Sequence, residues 1–274
     1  DKGETWEPRR SKSTPERVGE RLKTSIPRGV CPSWGRLLTV TIDQQAADGG
    51  FRLWVVMAHG VDWRSHVVDY GLCLTLEEIW ANIVAKGYTH ADGGNEISPR
   101  AVSADSGWNT KATYDFCNQH PGMIPCKGAN TDLGGRPYKL NAVQDGDHQG
   151  QLLFTVATDY WETDLQARLE DRTQDEAQSL TLCAGADRDG EFLEQLCNAT
   201  IDDRVDSRGN AKLLWVKKDE NAANDFRDAI RYGLALAVCY ADENGGFPAR
   251  SEVRTKRSVI NAGETRPDGR GWHD

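Results

Sequence analysis

Short apolar blocks broken by turns open the globular part of the chain, and a helical period takes over further on. Leu37-Leu38-Thr39-Val40-Thr41-Ile42 is a hydrophobic, β-branched run that ends on Asp43, and Ala46-Ala47-Asp48-Gly49-Gly50 supplies turn chemistry after it. This predicts a strand over 37–43. Phe51 to Ala58 predicts a second strand and Ser65 to Tyr70 a third, joined by tight turns as an antiparallel meander. From Thr75 to Lys86 the period lengthens: Leu76, Ile79, Ile83 and Val84 share a helical face, with Thr75 as N-cap and Glu77 and Glu78 in the first turn. Gly93, Gly94 and Pro99 mark 87–99 as loop. A fourth strand over 100–105, a helix over 110–120 and a fifth strand over 123–127 follow.

The second half is less regular. Tyr138 to Val143 and Leu152 to Ala157 predict strands around a turn at Asp145-Gly146-Asp147. Asp159 to Glu170 predicts a helix, Ser179 to Cys183 a strand, Gly190 to Thr200 a helix and Leu213 to Val216 a strand. The longest helix is expected over 222–241, with Phe226, Ile230, Gly233, Leu234, Ala237 and Val238 as its apolar stripe. Asp228 falls off that stripe, and Asp225 lies one turn before it.

The order β-β-β-α-β-α-β is that of the ribonuclease H-like fold. The expected class is therefore α/β, a ribonuclease H-like mixed sheet with extra C-terminal elements. In that fold the first and fourth strands are parallel neighbours. Their carboxyl ends would present Asp43 and Asp105 to one crevice, the usual place for a ligand in such sheets. Residues 1–28 are polar, Arg- and Pro-rich and read as a linker or arm, with a short helix over 16–23. Residues 29–241 read as the folded domain and 242–274 as a loose tail. The chain starts at Asp1 rather than Met, so a fragment of a longer protein is expected.

Composition changes this picture little. A length of 274 residues permits a substantial core, and a mean hydropathy of −0.64 suits loose ends around a globular middle. No apolar run approaches the ~18 residues of a membrane span, and no export signal is visible. The formal net charge of −9 argues against nucleic acid as a partner unless metal neutralises some carboxylates or the basic residues cluster. The 7 cysteines contain no C-x-x-C pair and read as buried thiols of a reducing compartment. Cys117, His120 and Cys126 are the nearest thing to a zinc set, and they lack a fourth ligand. No phosphate-cradling G-x-x-x-x-G-K-[ST] loop is present.

Three acids on three elements suit phosphodiester hydrolysis. Two divalent ions about 3.5–4 Å apart can activate water and stabilise the leaving oxygen. Magnesium keeps several waters and needs few carboxylates. Asp43, Asp105 and Asp228 form this set, with Asp225 as a possible fourth ligand. Singly, each has an ordinary alternative: turn former for Asp43 and Asp105, solvated helix flank for Asp228, N-terminal dipole partner for Asp225. Asp69 is a weaker candidate. Lys111, Lys127, Lys217 and Lys218 are candidate DNA-phosphate contacts, against the commoner solvated lysine.

Several motifs, in order, resemble the nuclease domain of tailed-phage terminase large subunits of the lambda-like branch. They include Pro27-Arg28-Gly29-Val30, Leu38 through Gln45, Asp105-Ser106-Gly107-Trp108-Asn109-Thr110, Tyr114-Asp115-Phe116-Cys117 and Cys126-Lys127-Gly128. Phe192-Leu193-Glu194-Gln195-Leu196, Trp215-Val216-Lys217-Lys218 and Asn224 through Gly233 continue the series, so the likeness spans 27–241. It implies a metal-dependent endonuclease that cuts double-stranded viral DNA during genome packaging in the host cytoplasm. It places the family's acids on Asp43, Asp105 and Asp228, with two Mg2+ or Mn2+ ions as cofactors. It also implies a separate packaging ATPase domain, of which 1–28 would be the connecting arm, and portal and small terminase subunits as partners. The competing expectations are a junction resolvase or transposase-like enzyme of the same fold, and a non-catalytic DNA-packaging domain.

Overall fold

A computed structural model describes residues 13–45, 50–93, 96–129, 131–144, 146–205 and 211–249. The expected turn at 46–49, Asp145, the arm before Ser13 and the tail from residue 250 lie outside the described residues.

The meander forms as its pattern predicts. Strands β2 (Leu37–Gln45), β3 (Phe51–His59) and β4 (Ser65–Cys73) pair antiparallel in sequence order. Then β7 (Ala101–Asp105) joins the other side of β2 in parallel, and β8 (Met123–Ala129) joins β7. The central order β4-β3-β2-β7-β8 is the ribonuclease H-like one. The full sheet has 8 strands in the order β11-β4-β3-β2-β7-β8-β10-β9, with β9 (Tyr138–Ala142), β10 (Leu152–Ala157) and β11 (Leu180–Leu182) added at the two edges.

Because side chains alternate along a strand, β2 feeds two cores. Leu38, Val40 and Ile42 face one apolar cluster with Val102, Ala104, Phe116 and Ile79. That side carries α2 (Leu76–Ile79), a π-helical turn over Trp80–Val84 and α3 (Thr110–Gln119). Thr75 is the N-cap as expected, and it forms a capping box: the Glu78 amide donates to Thr75 Oγ1 at 3.1 Å, and Glu78 Oε2 accepts from the Thr75 amide at 3.3 Å. Leu37, Leu53, Val55 and Met57 face the other cluster, beneath α4 (Thr158–Glu170), α5 (Gly190–Cys197) and α6 (Asp225–Asn244).

Helix α6 lies on β2 and β3. At Gly233 a Cβ would stand 2.6 Å from Met57 Sδ, so glycine is what lets the helix backbone reach the sheet. Almost the whole circumference of α6 is buried, Arg227 and Arg231 included.

Four expectations change. The segment expected to be an arm is packed from Ser13 onward: α1 (Pro15–Leu22) is capped by Thr14 and buries Val18 and Leu22. The expected loop at 87–99 contains β5 (Tyr88–His90) and β6 (Glu96–Ile97), which form a small sheet with β1 (Val30–Cys31). These strands are too short to show a period. The helix expected to reach Thr200 stops at Cys197, and β12 (Thr200–Val205) pairs with β13 (Ala211–Val216). The first residues of the segment expected to be a loose tail are packed instead, because α6 runs to Asn244 and Phe247 packs against Trp63 at 4.9 Å. No helix among the described residues is long and apolar enough to cross a membrane.

Candidate active site

The parallel pairing of β2 with β7 aligns Ile42 with Ala104, so the next residues, Asp43 and Asp105, sit side by side at the carboxyl ends. Period two puts Asp43 on the face of Thr39 and Thr41. That face meets α6, where Thr41 Oγ1 donates to the Ala229 carbonyl at 2.7 Å. The first turn of α6 therefore hangs Asp225 and Asp228 over the same strand ends. Gln45, two residues beyond Asp43, donates from Nε2 to Asp43 Oδ2 at 2.7 Å and to Asp225 Oδ1 at 2.9 Å. The Gly107 amide donates to Asp105 Oδ2 at 3.2 Å, and a Cβ at Gly107 would stand 3.0 Å from that oxygen. On the opposite face Gln44 Nε2 donates to the Asp105 carbonyl at 2.5 Å and to Thr113 Oγ1 at 2.7 Å, tying the end of β7 to α3.

The electrostatics are those of crowded carboxylates. Burial pushes the Asp43 carboxyl well above its usual range, and the charges of Asp228, Asp105 and Asp225 push it further. Burial also raises Asp105, with Asp228 adding to the rise and the Gly107 amide opposing it. Asp228 is raised by burial against the pull of Arg231, and Asp225 by burial against the pull of Lys217. Such a site gains from a cation that neutralises the group together.

The donor set fits a hard divalent ion, being all carboxylate oxygen, drawn from separate elements, with raised proton affinities that a cation would relieve. Among the described residues no three His, Cys, Asp or Glu side chains already stand at ligand spacing. An ion held by this set would require the side chains to rotate, and the Gln45 amide now lies between Asp43 and Asp225. The Cys117, His120 and Cys126 set does not form a zinc site. Cys117 and Cys126 belong to cores on opposite faces of the sheet, and His120 stacks on Phe116 at 3.9 Å. Asp69 is engaged by Arg28 and the Tyr70 amide instead.

The family model for the terminase large subunit gpA, endonuclease domain, matches residues 1–243. The chain belongs to that family. Among solved structures it is similar to the nuclease domain of the large terminase subunit gp2 of bacterial virus Sf6, in a mutant form with manganese and beta-thujaplicinol. The two are 10% identical, the match covers 80% of this chain and 96% of that one, and the TM-score is 0.44. No curated protein matches the chain at a significant level.

Behind the acids this endonuclease domain carries a buried charge network that pattern reading missed. Glu162 of α4 accepts from Arg227 Nε at 2.8 Å and from Arg231 Nη1, and Arg231 Nη1 also lies 3.2 Å from Asp228 Oδ1. Arg227 Nη1 donates to the Leu196 carbonyl at 2.6 Å and Nη2 to Gln166 Oε1 at 3.0 Å. Glu162 is buried and its carboxyl is nonetheless held below its usual range, because the two guanidiniums outweigh desolvation. The network fixes the side of α6 from which Asp228 projects.

Three of the four candidate lysines are engaged within the protein. Lys217 Nζ donates to the Ala222 carbonyl at 3.0 Å and Lys218 Nζ to the Ser13 carbonyl at 2.7 Å, so both brace loops. Lys111 pairs with Asp115 one turn on, at 2.8 Å. Lys127 is exposed, but Cys126 is the register partner of Asp105, so alternation points Lys127 to the other face of the sheet.

Proposed function

We propose that this domain hydrolyses phosphodiester bonds of double-stranded viral DNA by a two-metal-ion mechanism during genome packaging. The supporting observation is the convergence of four carboxylates from β2, β7 and the first turn of α6, whose combined burial and mutual repulsion raise the proton affinity of Asp43. Asp43, Asp105 and Asp228 would hold the ions, with Asp225 as a further ligand and Asp43 as the carboxylate on which the other three charges act. When bound, Mg2+ or Mn2+ would supply a water of lowered pKa and charge stabilisation at the leaving 3′-oxygen. The chain's own part is to hold the carboxylates. Gln44 fixes the end of β7, and Arg231 holds one oxygen of Asp228 and leaves the other to a ligand. Lys111, Lys127, Lys217 and Lys218 would contribute at most peripheral phosphate contacts. In the full assembly the domain would act with a packaging ATPase domain, the portal and the small terminase subunit, in the host cytoplasm. The test is plasmid nicking with Mg2+ or Mn2+. Asp43→Asn is expected to reduce it to the level of the EDTA control, and undiminished cutting in EDTA overturns the proposal.

A further inference from the structure

The least ordinary contact of the site is the one made by Gln45. Its side-chain amide has two N–H donors in a fixed plane. One meets Asp43 Oδ2 at 2.7 Å and the other meets Asp225 Oδ1 at 2.9 Å. The orientation is set by chemistry, since the reversed amide would aim its carbonyl oxygen at two carboxylates. Without Gln45, a buried carboxylate on β2 and another at the start of α6 would repel each other without the amide that joins them. The amide does in part what a cation does: it offers positive charge to both and links the two elements.

We propose that the Gln45 amide is a built-in stand-in for a divalent ion, holding Asp43 and Asp225 together in the ion-free protein and displaced when an ion binds. The proposal rests on the metal-site reading above. Its physical basis is competition. The amide hydrogens carry positive partial charge, and an ion seated on Asp43 Oδ2 and Asp225 Oδ1 would confront them directly. The side chain must swing away or turn its carbonyl oxygen inward. Gln45 is half-buried at the end of β2, so it has solvent to swing into. Ion affinity is then lowered by the two charge-assisted hydrogen bonds that must break, and the ion-free site is spared collapse or swelling. Gln45 is thus a positioning residue that trades affinity for order.

The experiment compares the wild-type chain with Gln45→Ala and Gln45→Met, the second keeping bulk without a donor. Each is titrated with Mn2+ alone by calorimetry, without DNA, and melted in EDTA and in Mn2+. Loss of the amide is expected to tighten Mn2+ binding about tenfold. The ion-free melting temperature should fall by about 2–4 °C, and the rise on adding Mn2+ should grow. A purely structural residue would lower both melting curves and leave the Mn2+ affinity unchanged. A residue that supports the bound ion would weaken that affinity on removal. Either result in the folded variants overturns the proposal while leaving the metal site standing. A wild-type chain that binds no Mn2+ overturns both.

Discussion

Glu162 decides more of this site than its position in the sequence suggests. Its carboxylate meets both Arg227 and Arg231, and Arg231 in turn reaches Asp228. Breaking a buried ion network by removing one partner costs far more than the network itself contributes, because the remaining charges stay buried. Glu162→Gln is expected to destabilise the domain by about 3–5 kcal/mol in urea unfolding. A loss under about 1 kcal/mol would mean that water reaches the two guanidiniums. Asp43 and Asp105 were legible in the sequence because a strand that ends on an acid announces itself by alternation and by the turn after it. Glu162, Arg227 and Arg231 were not. A charged residue on a helix reads as solvated, and only the packing of α4 over α6 turns these three inward. The same blindness runs the other way for Lys217 and Lys218, whose charge suggested DNA and whose amines brace backbone carbonyls.

At the scale of elements, α6 sets the geometry because its first turn carries Asp225 and Asp228 to the ends of β2 and β7, far away in sequence. Its closeness to β3 depends on Gly233, with Met57 Sδ filling the space a side chain would need. Alanine there gains about 1 kcal/mol of helix propensity but sets its Cβ against the fully buried Met57, so Gly233→Ala should cost up to about 1 kcal/mol. Gly233→Val has no such relief and should cost about 1–3 kcal/mol in urea melts. It should also weaken Mn2+ binding by lifting the first turn away from β2, and an unchanged Mn2+ titration would show that the two ends of the helix move independently. The central strands and long helices could be read from period because each buries one face. β5 and β6 could not, being 3 and 2 residues long. Thr200-Ile201-Asp202-Asp203-Arg204-Val205 was hidden for a different reason: it forms only a two-stranded ribbon with β13, and its charges mask the alternation.

The whole molecule responds to pH through two sets of groups of opposite sign. His59 and His66 lie in the sheet interior, where burial lowers both to about 3. His59 is hydrogen-bonded with Thr39 Oγ1 at 2.9 Å and Ser65 Oγ at 3.0 Å, and His66 with Thr181 Oγ1 at 2.8 Å. In the unfolded chain both take up protons near the ordinary value of about 6.5. Their contribution is therefore complete above that pH and is lost as pH falls from it toward 3. The acid cluster works the other way. Raised carboxyls hold their protons better in the folded state, so the ion-free domain loses stability as pH rises through their range. Divalent ions bound at the cluster would cancel that second loss by replacing the protons and would leave the histidine slope untouched. Urea unfolding in EDTA should accordingly show stability declining on acidification below about pH 6.5, with the decline shallower in His59→Gln/His66→Asn. Mn2+ should stabilise the wild-type domain more at pH 7.5 than at pH 4.5, where protons compete better for the raised carboxylates. An acid slope unchanged by the double substitution would move the proton uptake to groups outside the sheet. A Mn2+ effect independent of pH would place the ion away from Asp43.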